Sequence, residues 1–416
     1  MKYSHRYRAY PEWTNTTSEC EQHINIARQL YNHVKHDYTN SPDENKPSKE
    51  DQNNKLPNWK KEWNVFSNVY SKVAEEVVRR FHNNLSRLAD LKANEYKVGR
   101  LQHKNNGEYQ SITYVQSGFE VENKTDRTDY RTLELSKIGD IPIRYHRPIP
   151  DNATIKEVTL KQEASGAWYV SFNLELDDEK LPEKTPVDEL DEDNIVGIDL
   201  GVSQYVHTSD GISVGWLDLE DEYEQVRSAQ QDLSRKQHGS NNWDKQREEL
   251  GTYKRHIKEK VLDFQHKLST WLVKTYDAVC VEDLNVKSML EGKLNARNMQ
   301  SCAWSRFIDL LEYKGKLYGS RIVKVKPEGT TKECSQCGIE TEKPLWVREH
   351  SCPSCGFTLD RDWNASLNVL YRGLNKLGVG DAEQDACGDR LPAGDGSDTS
   401  ESVTATAVIE ARSLRA

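Results

Sequence analysis

"VGIDLGVSQYVHTSDG", residues 196–211, decides how the chain is read. Val196, Gly197, Ile198 and Leu200 have the apolar or small character of a buried strand, and Asp199 sets a carboxylate among them. With its flanks the stretch gives "NIVGID", "QYVHTS" and "GISVGW", which read as a three-stranded antiparallel meander. A lone aspartate after an apolar strand is commonly a turn former or a helix cap. Its meaning depends on which other acids the fold can bring to it.

Two further acids stand at comparable places. "DAVCVEDL" (277–284) is an apolar strand ending in Glu282 and Asp283. Asp362 begins a final helix, "DRDWNASLNVLYRGL" (360–374). Between these elements lie a charged helical segment near 218–275, broken at Gly239-Ser240 into a hairpin, a helix with Trp304, Phe307, Leu311 and Tyr318 on one face, and the strand "RIVKVKP" (321–327). The order strand–strand–strand–helix–strand–helix–strand–helix, with acids at these points, is the layout of an RNase H-like nuclease. Asp199, Glu282 and Asp362 are 83 and 80 residues apart, so only the fold can join them. Clustered carboxylates repel unless cations neutralise them. Oxygen-only ligation suits Mg²⁺ or Mn²⁺, and two such ions about 4 Å apart can activate water and stabilise a leaving oxygen in phosphodiester hydrolysis.

The cysteines carry a second signal. "CSQCG" (334–338) and "CPSCG" (352–356) form two C-x-x-C pairs separated by 14 residues. Each suits a knuckle with a glycine after its second cysteine, and Cys334, Cys337, Cys352 and Cys355 together complete a tetrahedral Zn²⁺ site. Four thiolates leave no open ligand position, so the zinc is expected to be structural.

Upstream the periodicity differs. A short strand is expected at 2–12, a helix at 18–36, a polar loop at 39–58 holding three prolines, and a single long helix from Trp59 to Leu88. From about 100 to 176 the period is two, with strands at 132–138, 141–147, 157–163 and 168–176 joined by Gly/Asp/Pro turns.

The net charge of −10 at first argues against a nucleic-acid partner. The acids are concentrated, however, in 177–193 (net −7) and 381–416 (net −5); these two segments account for −12, so the remainder carries about +2 and can present basic surfaces. No apolar leader or membrane-length run is visible, and a cytoplasmic protein with no membrane partner is expected.

In order, "GIDLGVSQYVHTSDG", "NNWDKQREEL", "DFQHKLSTWLV", "VCVEDLNVKSM", "AWSRFIDLLEYK", "VKPEGTTKECSQCG" and "CPSCGFTLDRDWNASLNVL" resemble the blocks of TnpB-like proteins, which insertion sequences encode and which are related to type V CRISPR nucleases. The resemblance is close over 194–372 and looser over 1–176. It implies an α+β multidomain protein: an RNase H-like (RuvC) nuclease domain (194–329 and 357–376) with an inserted zinc ribbon (330–356). Before these would come a β-barrel wedge domain (1–15 and 96–176), an inserted helical recognition lobe (16–95) and an acidic linker (177–193), with 377–416 a disordered tail. It further implies an RNA-guided DNA endonuclease that uses a guide RNA from its own transposon end and cuts double-stranded target DNA. The alternatives are a guided DNA-binding protein that does not cut, or a transposase acting in strand transfer. Asp199, Glu282 and Asp362 match the family's catalytic acids; Asp360 is the rival for the third place, and Asp362 is preferred because it precedes Trp363-Asn364-Ala365. Nucleic-acid contacts are expected from Arg79, Arg80, Arg144, Arg147, Arg235, Lys236, Lys254, Arg255 and Lys267. Trp243 and Trp304 could stack on bases. The oligomeric state stays open, with a monomer favoured.

Overall fold

A computed structural model describes residues 1–122, 129–202, 204–284, 303–344, 346–379 and 402–403. The chain divides into two compact units, Met1–Lys180 with Val226–Tyr253, and Leu181–Gln225 with Lys254–Ala416. Of the tail expected to be disordered, 380–401 and 404–416 lie outside the described residues.

In the first unit, β1 (Lys2–Ala9) precedes three helices, α1 (Thr17–Asn40), α2 (Lys49–Glu62) and α3 (Ser71–Ala93). Six strands follow: β2 (Ser111–Val115), β3 (Phe119–Glu122), β4 (Tyr130–Leu135), β5 (Gly139–Arg144), β6 (Ala153–Gln162) and β7 (Trp168–Leu176). The sheet order is β2-β6-β7-β1-β5-β4-β3, with antiparallel pairing throughout. Its two edge strands, β2 and β3, are consecutive in sequence and joined by only Gln116–Gly118. The sheet must therefore curl until its edges approach, a nearly closed barrel. Alternation drives the curl: Tyr7, Ile112, Tyr114, Leu133, Ile141, Val170 and Phe172 turn inward and are buried together.

Two expectations upstream need correction. The polar stretch 39–58 is not all loop, because α2 starts at Lys49 behind a capping box in which Ser48 and Asp51 satisfy each other's backbone N–H groups. Nor is 59–88 one helix. After Trp63 the chain forms a short 3₁₀ turn over Asn64–Asn68, whose Asn and Ser side chains compete for backbone hydrogen bonds, before α3 begins. The apolar stripe is real, but it runs over two helices and the turn, with Trp59, Phe66, Val69, Val73, Val77 and Phe81 all buried.

The second unit holds a six-stranded sheet ordered β12-β11-β8-β9-β10-β15. Its strands are β8 (Ile195–Asp199), β9 (Gln204–Thr208), β10 (Ser213–Gly215), β11 (Ala278–Glu282), β12 (Arg321–Val325) and the two-residue β15 (Ser402–Val403). β8, β9 and β10 form the antiparallel meander, and β11 and β12 continue it in parallel with β8. In sequence, helices α4 (Glu220–Ser234) and α5 (Asn241–Thr275) follow the meander, their residues 226–253 belonging to the first unit, with the break between them where Gly239 was noted. Then come α6 (Trp304–Tyr318), the hairpin β13 (Glu349–Ser351) and β14 (Thr358–Asp360), and α7 (Arg361–Leu377).

This sheet is buried on both faces. Val196, Ile198, Val279 and Val281 pack with Phe264, Leu268 and Leu272 of α5 and Phe307 and Leu311 of α6. Ile195, Ala278 and Cys280 pack on the other side with Val369 and Leu374 of α7. Two glycines allow α7 to lie close. A Cβ on Gly197 would come within 2.3 Å of the Ser366 carbonyl oxygen and 2.5 Å of the Leu370 nitrogen, and one on Gly373 within 2.0 Å of Cys280 Sγ.

Candidate active site and four-cysteine cluster

Strand geometry answers why an aspartate sits among core residues. Side chains alternate along a strand, so residues 195, 197 and 199 of β8, and 278, 280 and 282 of β11, share the face that α7 covers. Ile198 pairs with Val281 in the parallel register, which puts Asp199 and Glu282 side by side at the carboxyl ends of neighbouring strands. Both are nearly enclosed, at 8% and 6% exposure. Asp283, by contrast, is exposed, and its backbone N–H donates to Val325 O at 2.8 Å. α7, seated over Gly197, delivers Asp362 in its first turn to the same end of the sheet.

The electrostatics record this convergence. Burial, then the negative charges of Glu282 and Asp362, raise the proton affinity of Asp199 well above the ordinary carboxylate range, while Arg361 and the Leu200 N–H oppose the shift. Glu282 is raised as well, chiefly by burial; the Thr330 hydroxyl and Arg372 pull it back and Glu328 pushes with burial. Like charges gathered in a low dielectric carry a stability cost that a cation would remove. The three donor groups are all hard oxygens, which suits a divalent cation such as Mg²⁺.

Asp362 and Asp360 do different work. Asp360 caps α7, its Oδ1 accepting from the N–H groups of Asp362 at 2.9 Å and Trp363 at 3.1 Å. That same oxygen lies 4.0 Å from His207 Nε2. Asp362 instead faces the cluster, and the Arg348 guanidinium donates to its Oδ2 at 3.3 Å. No trio of carboxylates among the described residues is as tightly gathered as the four cysteines.

Those four sulfurs all lie within 4.8 Å of one another. Cys334 and Cys355 are 3.7 Å apart, Cys337 and Cys352 3.5 Å. A tetrahedron with arms of about 2.3 Å has edges of about 3.8 Å, so the spacing fits one Zn²⁺ and is far too long for disulfides. The two knuckles repeat one pattern. Gly338 N–H donates to Cys334 O at 2.8 Å and Gly356 N–H to Cys352 O at 3.0 Å, and both glycines have φ +74°, a conformation costly for any other residue. Two bonds tie the cluster to α7: Ser335 N–H donates to Asn364 Oδ1 at 2.9 Å, and Asn364 Nδ2 donates to Glu333 O at 2.7 Å.

The basic candidates divide by environment. Arg79 is paired with Glu76 and with Glu157 at 2.8 Å, and Arg80 donates to Ser111 O at 2.9 Å and lies over Tyr109. These two brace α3 against the sheet. Arg235, Arg255 and Lys267 pair with Asp232, Glu259 and Asp263 of their own helical segments. Arg144, Lys236 and Lys254 are exposed and Arg147 is half-buried. Trp304 is a core residue, while Trp243 lies beside His238 with Arg247 over its ring. Residues that sequence reasoning passed over include Thr330, Arg361 and Asn368; only "WNA" at 363–365 hinted that an asparagine mattered here, and Arg348, expected with Lys332 and Lys343 to touch nucleic acid, lies on Asp362 instead.

Comparison with known proteins adds the family. A model described as "Probable transposase" matches residues 174–292, and one described as "Cas12f1-like, TNB domain" matches 304–369. A "Putative RNA-guided DNA endonuclease" of Streptomyces pristinaespiralis is 30% identical over 389 residues, covering 92% of each chain. The chain belongs to the TnpB-like family. A "Putative RNA-guided DNA endonuclease" of Escherichia coli, another relative, is 27% identical over 278 residues, covering 63% of this chain and 66% of its own length. A TnpB-like protein of Acanthamoeba polyphaga mimivirus is 30% identical over 237 residues, 53% of this chain and 44% of the viral one. Among solved structures, the Cas12f1–sgRNA–target DNA complex is similar over 86% of this chain and 82% of that one, with TM-score 0.48 and 14% identity. Among the described residues no helix is long and apolar enough to cross a membrane.

Proposed function

We propose that this TnpB-like chain is an RNA-guided DNA endonuclease that hydrolyses phosphodiester bonds of double-stranded target DNA at Asp199, Glu282 and Asp362. The observation that carries the reading is the register of β8 and β11, which sets two enclosed carboxylates side by side under the N-terminus of α7. A strand order of β10-β9-β8-β11-β12, the first three antiparallel and the last two parallel to β8, is the arrangement an RNase H-like nuclease requires. The relatives' descriptions point the same way.

Asp199, Glu282 and Asp362 would hold Mg²⁺ or Mn²⁺, which supplies Lewis-acid activation of water and stabilisation of the leaving oxygen when bound. The chain's own contribution is positional. β8 and β11 fix two carboxylates on rigid elements, α7 brings the third, and Arg361 with the helix N-terminus moderates their mutual repulsion. Cys334, Cys337, Cys352 and Cys355 would hold a structural Zn²⁺ that keeps the loop before α7 in shape. The first unit, with its curled sheet and inserted helices, serves as wedge and recognition lobe for the guide RNA and the target-adjacent motif. Exposed cations such as Arg144, Lys236 and Lys254 meet phosphates.

The test is co-expression with RNA from the transposon end, purification at high salt, and incubation with a plasmid library whose guide-matched target carries randomised flanks. Linear product that needs Mg²⁺ and enriches one flank is expected. Retention of the same flanks without any cutting would replace this reading by guided binding alone.

A further inference from the structure

We infer that Thr330 is a positioning residue that fixes the Glu282 carboxylate for cation binding, and that Asn364 and Asn368 hold Thr330 in place. The inference rests on the carboxylate site proposed above. Thr330 is 2% exposed, deep for a hydroxyl residue in a loop. Its Oγ1 makes a short contact to Glu282 Oε1 and lies 3.0 Å from Pro327 O. A hydroxyl has one proton to give, and an ionised carboxylate is the stronger acceptor. Thr330 therefore donates to Oε1 and leaves Oε2 for a cation.

The loop that carries this hydroxyl is itself held. Asn368 Nδ2 donates to Thr330 O at 2.9 Å and to Glu333 O at 2.8 Å. One helical turn earlier, Asn364 Nδ2 donates to the same Glu333 carbonyl, and its Oδ1 receives the Ser335 N–H beside Cys334. Both asparagines are enclosed, and both stand on the helix that bears Asp362. Thr330 thus links Glu282 of β11 to α7 through a loop that begins the four-cysteine cluster. Outer-shell donors of this kind orient a metal-binding carboxylate and commonly matter about 10- to 100-fold for metal affinity.

The test uses full-length protein bound to its guide RNA, with Mn²⁺ as the probe and free Mn²⁺ read by electron paramagnetic resonance. Thr330→Val should weaken the Mn²⁺ site about 10- to 100-fold, shift the Mg²⁺ dependence of cleavage to higher concentration, and leave guide RNA affinity unchanged. Thr330→Ser, which keeps the hydroxyl, should restore Mn²⁺ affinity. If Thr330→Val does not fold, Thr330→Cys keeps the size with a weak donor and should show the same loss. Glu282→Ala separates the two levels of the argument. If it abolishes the Mn²⁺ site while Thr330→Val and Thr330→Cys bind like wild type, the positioning role is overturned. If Glu282→Ala itself keeps the Mn²⁺ site and cleavage, the carboxylate reading fails.

Discussion

Gly197→Ala tests whether close seating of α7 assembles the site. An ideal Cβ at this position would stand 2.3 Å from Ser366 O and 2.5 Å from Leu370 N, both backbone atoms of α7. Ordinary contact begins near 3.4 Å. The helix must therefore retreat by roughly 1 Å, since a strand buried on both faces cannot yield easily. Overpacking of this kind costs about 1–3 kcal/mol, offset by a few tenths to about 1 kcal/mol because alanine restricts the unfolded chain. The net loss is then up to about 2.5 kcal/mol, and since about 2–4 °C of Tm is lost per kcal/mol in a domain of this size, a fall of up to about 10 °C is expected. Activity should suffer more, because the same retreat moves Asp362 away from Asp199, and a misplacement near 1 Å can cost about 100-fold. Thermal unfolding by differential scanning calorimetry and guided plasmid cleavage would be compared with Gly99→Ala, where nothing lies within 4 Å. A Gly197→Ala protein that melts and cuts like Gly99→Ala would refute the reasoning.

Glu282→Ala should reduce cleavage below detection while guide RNA affinity, read by filter binding, stays near that of wild type, since a buried carboxylate is none of the cations assigned to phosphates. Asp199→Asn should abolish cleavage yet raise the Tm measured without divalent cations, by the equivalent of about 0.5–2 kcal/mol, because it removes a buried charge repelled by Glu282 and Asp362; a lower Tm would contradict the electrostatics. Cys337→Ser should cut zinc content, read by atomic emission, from one ion per chain toward none and expose 330–360 to protease, whereas retained zinc would disprove the four-thiolate site. His23 is enclosed with Nδ1–H donating to Glu19 O at 2.7 Å, and burial holds its pKa below the ordinary 6.5. Its stabilising contribution is therefore complete above pH 6.5 and is lost as pH falls through the lower folded value; urea unfolding at pH 7 and pH 5 should show less pH sensitivity in His23→Gln than in wild type.

Much of the second unit is legible because its signals are local. Ile195, Val196, Ile198 and Leu200 flanking a carboxylate, two C-x-x-C pairs and a helix opening in Asp-Arg-Asp each name their element before any packing is known. The choice of Asp362 over Asp360 is different. Both sit at a helix start, and only the backbone reveals that Asp360 spends an oxygen on capping. Thr330 is less legible still, for a threonine in "PEGTTKEC" looks like turn chemistry until Glu282 is found against it. In the first unit, apolar spacing finds the stripe from Trp59 to Phe81 but not the turn at Asn64–Asn68, because a stripe continues across a break when the core beneath it is continuous.

The carboxylates also explain why the second unit is built as it is. A site that gathers negative charge works against its own fold, and the surrounding residues offset that cost without neutralising it. Arg361 and the Leu200 N–H draw on Asp199, Thr330 and Arg372 on Glu282, and Arg348 on Asp362. Two of these helpers are anchored elsewhere: Arg361 donates to Pro344 O at 3.2 Å, and Arg372 to Lys326 O at 2.6 Å and Glu333 Oε2 at 2.7 Å. Burial outweighs the pull of these contacts, so Asp199 and Glu282 keep a raised proton affinity. A full ion pair at each acid would stabilise the protein further but would compete with a cation for the same oxygens. The partial compensation is what a site needs if it is to stay folded when empty of metal and still bind one.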